Sequence, residues 1–187
     1  MKKEAEKPQE NNMPVPRMVL SHLIAEKNPA LGELLYAGVV FGSAIDRWIT
    51  RAVAVAVTSN EAMGVLDGLV LLQVHNFNTE KVQSDIAFML NIEDSQKIYH
   101  SLRKLVELGL IQSIKRGKVA FYSATPDGEQ FCQRFSKVCD QCLSAVITGI
   151  TEDKAKIHET AMVMIEMSNG IDTGSRNAQS MAFYKKR

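Results

Sequence analysis

Cysteine is scarce, with three in 187 residues. So few, and an odd number, cannot staple a secreted scaffold, and they point to a reducing cytoplasm. Long apolar runs are missing too. The longest begins at Leu34, and Asp46, Arg47 and Arg51 interrupt it before a bilayer could be crossed, so no membrane association is expected. Charge of one sign is not in excess either: 22 Lys and Arg face 21 Asp and Glu, a net +1. The overall balance announces no nucleic-acid partner, so any such function must rest on local asymmetry. The first seventeen residues are polar and proline-punctuated, unlike a secretory leader.

The signatures of catalysis are lacking as well. No glycine-rich phosphate loop occurs, since Gly38, Gly42, Gly64 and Gly68 sit in helical patterns, where close helix packing accounts for them. His22, His75, His100 and His158 are scattered without metal-ligand spacing. No serine or cysteine stands in a nucleophile motif, and the acid pairs Glu93-Asp94 and Glu152-Asp153 lie at helix starts, where the helix dipole accounts for them. The reading is of a protein that is not an enzyme, with no cofactor and no metal.

What is present is helical patterning. A hydrophobic content of 45% is enough for one domain with a sizeable core. Residues 1–16 read as a disordered arm. Met18 to Glu26 can form a short amphipathic helix through Val19, Leu20, Leu23 and Ile24. A long helix follows from about Leu31 to Val57, with Leu34, Phe41, Ile45, Trp48, Ile49 and Ala52 on one side. Ser59 or Asn60 restarts a helix to about His75 that is apolar nearly all round, and such a helix belongs in the middle of a fold.

The most informative stretch runs from Asn91 to Ile111. A turn-like opening, Asn91 to Asp94, leads into an amphipathic helix whose inward positions are Ile98, Leu102, Leu105 and Leu108. Gly109 can take the left-handed conformation that ends a helix. The outward face carries Gln96, Lys97, Tyr99, His100, Arg103 and Lys104, with no acid between Ser95 and Glu107. Amides and cations on a helix buried by its other side suit the major groove of DNA. Leu110 to Ile114 then reads as a strand, Lys115-Arg116-Gly117-Lys118 as a basic tip, and Val119 to Ala124 as a returning strand. Thr125-Pro126 opens the next helix as N-cap and first position. Upstream, Thr79 caps a shorter helix, Glu80 to Leu90, with Val82, Ile86 and Met89 or Leu90 inward. Over residues 79–125 the cations outnumber the acids, most of which precede the outward-facing helix. Helix, turn, helix, strand, basic hairpin, strand, helix is the order of a winged helix-turn-helix.

Residues 79–131 resemble the winged-helix domain of MarR-family transcription regulators through Ile92, Ile98, Leu102, Leu105, Gly109, Leu110, Ile111 and Thr125-Pro126-Asp127-Gly128. Leu90-Asn91 and Tyr99-His100-Ser101-Leu102-Arg103-Lys104-Leu105 look like a branch of that family. With flanking helices the similarity extends over about residues 30–168. The wing departs from the family pattern, with a short Lys-Arg-Gly-Lys tip in place of a longer arginine- and aspartate-rich loop. The resemblance implies a mainly α fold with a small β-hairpin wing. A winged helix-turn-helix core would be flanked by N- and C-terminal dimerisation helices, so a homodimer is expected. It also implies double-stranded DNA as partner; the outward helix face and the basic tip give the expected DNA-binding set of Ser95, Gln96, Lys97, Tyr99, His100, Arg103, Lys104, Lys115, Arg116 and Lys118, and a small-molecule effector is left open.

Beyond the wing, Pro126 to about Thr148 has a seam of Phe131, Phe135, Val138, Cys142 and Ala145, spaced for side-by-side helix packing. A last helix runs from Thr151 to about Ser168, so that residues 17–168 form one domain and 169–187 a polar tail. Cys139 and Cys142 have CxxC spacing, with Cys132 two turns earlier. Their mid-helix position favours structural cysteines over thiolates. Two alternatives stay open. One is a winged-helix module that binds another protein, and the other is a thiol-based redox sensor.

Overall fold

Asn28-Pro29 starts the longest helix of the N-terminal half: Asn28 Oδ1 accepts from the Leu31 amide at 3.1 Å, and proline fills the first position, where no amide partner is needed. The computed structural model describes residues 18–58 and 63–184. The expected arm and the helix restart at Ser59 or Asn60 lie outside the described residues. The chain divides into two compact units, one up to Cys132 and one from Gln133 onward.

In the first unit, α1 (His22–Lys27) precedes α2 (Pro29–Ala56) and α3 (Val65–His75). α1 is shorter than its sequence pattern, and Leu20 and Leu23 are exposed; Ala25 is the residue buried, against Gly32. In α2 the expected seam packs in part: Leu34, Ile45, Trp48 and Ile49 are half-buried and Phe41 is exposed. Gly32, Ala52, Val53 and Ala56 are buried, and Gly38 and Gly42 face open space within the chain. Gly68 does pack closely: a Cβ there would meet Val53 Cγ2 at 2.5 Å, so the Val53 side chain of α2 fits against the bare Gly68 backbone of α3. α3 sits centrally as its composition implies, burying Val70, Leu71 and Val74.

A tight turn, Asn76–Asn78, in which Phe77 and Asn78 take positive φ, leads to β1 (Lys81–Val82) and α4 (Gln83–Met89). This corrects the helix expected from Glu80 with Thr79 as cap. Lys81 and Val82 pair with Tyr122 and Phe121, because a free strand edge satisfies their backbone groups. Thr79 instead accepts from the Lys81 ammonium. After α5 (Ser95–Glu107), β2 (Ile111–Arg116) and β3 (Val119–Ala124) complete a three-stranded antiparallel sheet, ordered β1-β3-β2. The fold is mostly helical with this small sheet, the winged-helix arrangement.

α6 (Pro126–Cys139) begins with Thr125 Oγ1 accepting from the Gly128 amide, as an N-cap should. It passes into a widened π turn, Asp140–Ser144, then α7 (Ala145–Ile150) and α8 (Lys154–Tyr184). The expected seam is correspondingly corrected. Phe131 and Phe135 are buried, Val138 is half-buried, and Cys142 and Ala145 are exposed. The extra residue in a π turn rotates every later position around the helix axis. α8 also runs through Asn169-Gly170, where the sequence suggested a stop. Gly170 keeps ordinary helical dihedrals, and one interior glycine costs only about 1 kcal/mol in a long cooperative helix. Among the described residues no helix is long and apolar enough to cross a membrane.

Candidate nucleic-acid interface

The turn between α4 and α5 is built by Asn91, which takes φ +52°, a conformation asparagine tolerates better than most residues. The Ile92 amide returns to the Ala87 carbonyl at 2.9 Å, and the Gln83 side-chain amide reaches the Ser95 carbonyl at 2.8 Å. Asp94 caps α5 by accepting from the Gln96 amide at 3.0 Å. At the other end Gly109 takes φ +70° and the Leu110 amide reaches back to Leu105, the Schellman closure the sequence foretold.

Ile98, Ser101, Leu102 and Leu105 are the buried residues of α5. With about 100° per residue, the opposite crown is Gln96, His100 and Arg103, ending at Glu107. Lys97 and Lys104 fall on one flank and Tyr99 on the other. Ser95, Gln96, Lys97, Tyr99, His100 and Arg103 are all exposed. The Tyr99 ring stands edge-on to His100, with centroids 5.6 Å apart.

Lys104 departs from the expected face. Its ammonium donates to Asp67 Oδ2 at 2.7 Å, while Ser101 Oγ donates to Asp67 Oδ1 at 2.8 Å and the Gly64 amide to Oδ2 at 2.9 Å. Lys104 thus ties α5 to α3. The sequence carries the need for a partner, though not its identity: a single acid, Asp67, in a helix otherwise apolar nearly all round must be paired when buried. Burial raises the Asp67 carboxyl, but the hydrogen bonds from Lys104, Gly64 and Ser101 and the Lys104 charge outweigh it and leave it below the usual range. A depressed carboxylate adds stability that is complete above its unfolded value, near about 3.9, and is lost as pH falls through the folded value. Asp67→Asn is therefore expected to cost about 1–3 kcal/mol at neutral pH, less than breaking a fully enclosed pair because Lys104 keeps some water. Melting curves of parent and variant should converge in acid; a gap that persists unchanged below about pH 3 would contradict the lowered carboxyl.

The wing is tighter than its pattern suggested. Ladder pairing continues to Lys115 with Ala120 and Arg116 with Val119, so the turn is only Gly117-Lys118. Gly117 supplies, at φ +65°, the positive value that two-residue hairpins demand. Lys115 and Lys118 are exposed. Arg116 is anchored: its guanidinium holds both Glu80 oxygens at 2.6 and 2.9 Å and lies 4.9 Å from the centroid of Phe121. Glu80 lies 36 residues away, and nothing in local spacing forecasts that pair.

The cysteines differ from one another. Cys132 is buried, and burial together with the Glu129 charge pushes its thiol up to about 11. Burial also raises Cys139, which is half-buried. Cys142, expected inside the seam, is exposed. Among the described residues no group of His, Cys, Asp and Glu is arranged to hold a metal. The first unit also holds an open cavity of about 340 Å³ bordered by Phe77, Ile86, Phe88 and Met89 with Lys81 and Asp85.

A helix held by its apolar side over a central helix, preceded by a tight turn and followed by a β-wing, is the winged-helix arrangement, and a family model described as a winged helix DNA-binding domain matches residues 63–128. The larger arrangement is the fold of MarR-family transcriptional regulators. A MarR-family regulator from Rhodococcus sp. RHA1 superposes with a TM-score of 0.59 at 14% identity, over 71% of this chain and 89% of that one. A MarR regulator from Methanosarcina mazei Go1 gives 0.58 at 12% identity, over 80% and 98%. Staphylococcus aureus MarR in complex with salicylate and kanamycin gives 0.58 at 17% identity, over 79% and 96%. At such identities the likeness is one of fold. No curated protein matches the sequence.

Proposed function

We propose that the chain is a dimeric, sequence-specific DNA-binding transcription regulator of MarR type. The observation that carries this reading is the crown of α5, where Gln96, His100 and Arg103 stand exposed on a helix whose reverse side is fully packed. In this reading α5 enters the major groove, with Gln96, Lys97 and His100 on base edges and Ser95, Tyr99 and Arg103 beside them. Lys115 and Lys118 of the wing meet phosphates. Lys104 positions the helix through Asp67, and Arg116 begins on Glu80 rather than on DNA.

Dimerisation is supported by apolar surface left open in each unit. Val39, Val40 and Phe41 are exposed on α2, and separately Ile150, Met162 and Ile165 are exposed on α7 and α8. Two copies would place two recognition helices on successive grooves of a pseudo-palindrome. The Staphylococcus aureus relative carries small molecules in its structure, and the cavity beside Phe77 offers room for an effector here.

Selection from a random duplex library with the full chain tests the reading. The expected result is enrichment of a pseudo-palindrome, bound by a species of twice the chain mass in sedimentation equilibrium. Binding should weaken linearly in log–log form as salt rises. Failure to enrich any sequence, with no salt-dependent binding to duplex, would overturn it in favour of a protein-binding winged helix.

A further inference from the structure

Six cations belong to the expected DNA face: Lys97, Arg103, Lys104, Lys115, Arg116 and Lys118. Three of them already hold a carboxylate of this chain. Arg103 meets Glu107 at 2.8 Å, Lys104 meets Asp67 at 2.7 Å, and Arg116 meets Glu80 through both oxygens. The three pairs are of two kinds. The Asp67 side chain is 11% exposed and shared with Ser101 and Gly64, so Lys104 is fixed. Glu107 and Glu80 are 60% and 35% exposed, and their arginines 65% and 57%. The single-contact Arg103–Glu107 pair, so open to water, is weak, and the bidentate Arg116–Glu80 pair is stronger; both remain open to solvent, so a phosphate oxygen can take the place of the carboxylate.

Resting on the DNA-binding reading above, we propose that Glu80 and Glu107 are specificity-determining residues that mask Arg116 and Arg103 from non-specific DNA. A loosely held duplex attracts this surface through net charge alone, and each glutamate cancels one arginine in that long-range attraction. Moving the arginine to a phosphate leaves an acid facing the backbone, a cost that a stand-off complex does not offset. A duplex that docks closely, with α5 on base edges, brings a phosphate within direct reach of each guanidinium and completes the exchange. The glutamates thus lower affinity for random DNA more than for the preferred site. Arg116 is also held over Phe121, so masking does not leave the wing side chain loose.

The experiment uses the full chain and its Glu80→Gln and Glu107→Gln variants against two probes. One is a random-sequence duplex, and the other is the duplex enriched by the unmodified chain. Each variant should bind the random duplex roughly threefold or more tightly, with a log–log salt slope steeper by about one. The preferred-to-random affinity ratio should fall accordingly. Adding Arg116→Ala to Glu80→Gln should bring the slope back to that of the parent. Both glutamates are exposed and on different elements, so a folding defect in one variant leaves the other to decide. A variant whose slope is unchanged or shallower overturns the assignment for its glutamate. If the unmodified chain binds neither duplex, the DNA-binding reading itself fails; if it binds both and the variants match it, only the masking role fails.

Discussion

Gly128→Ala is expected to destabilise the winged-helix unit by about 3 kcal/mol or more, the upper range for overpacking, because the obstacle is backbone. A Cβ at Gly128 would be driven into the Leu110 carbonyl oxygen, with Leu71 Cδ1 only 3.3 Å away on the other side. Neither neighbour has room to yield. The same carbonyl already accepts from the Thr125 amide at 3.0 Å, and Thr125 Oγ1 donates to the Gly109 carbonyl at 2.7 Å. The first turn of α6 is therefore seated on the junction between α5 and β2, and moving it disturbs the helix and the wing together. Gly170→Ala is the control. It lies in α8 with nothing within 4 Å of the added methyl, and it should be neutral or stabilising by about 0.5–1 kcal/mol. Denaturant unfolding of both variants checks the contrast. Equal midpoints would show that α6 does not rest on Leu110.

Leu102→Ala should cost about 2–5 kcal/mol, since a fully buried side chain leaves a cavity that packed neighbours refill only in part. Gln96→Ala and His100→Ala, on the opposite side of the same helix, should leave melting nearly unchanged. Each should instead weaken binding to the preferred duplex by about 1–3 kcal/mol while sparing random DNA. If Gln96→Ala lowers the melting temperature as much as Leu102→Ala, the helix is rotated relative to this account. The crown would then have to be redrawn.

α5 was legible from sequence because its burial follows a local rule. Ile98, Leu102 and Leu105 recur at helical spacing, Asp94 caps one end and Gly109 closes the other, all within one stretch of chain. The hairpin was legible for the same reason, with a glycine where a two-residue turn needs one. α4 was legible only in part. Lys81 and Val82 look like a helix start, and they become a strand only because β3 offers an open edge. The α2 seam is legible toward its C-terminal end, where Ile45, Trp48 and Ile49 are half-buried and Ala52 is buried, but not at Phe41, which is exposed, because apolar periodicity marks a face without saying how much of it is packed.

The sequence by itself determined the helix that presents amides and cations, the turn before it and the hairpin after it, and the glycines at the helix end and at the wing turn. Each depends on dihedral preferences and spacing among near neighbours. Tertiary structure alone decided that Lys104 and Arg116 are held by carboxylates, unlike the i,i+4 pair of Arg103 with Glu107. Lys104 and Asp67 are 37 residues apart and Arg116 and Glu80 are 36, and their pairing follows from α3 packing under α5 and from β1 joining β3. Charge is a property of a residue, but its neutralisation depends on what folding brings within a few ångströms, and a linear pattern carries no record of that distance.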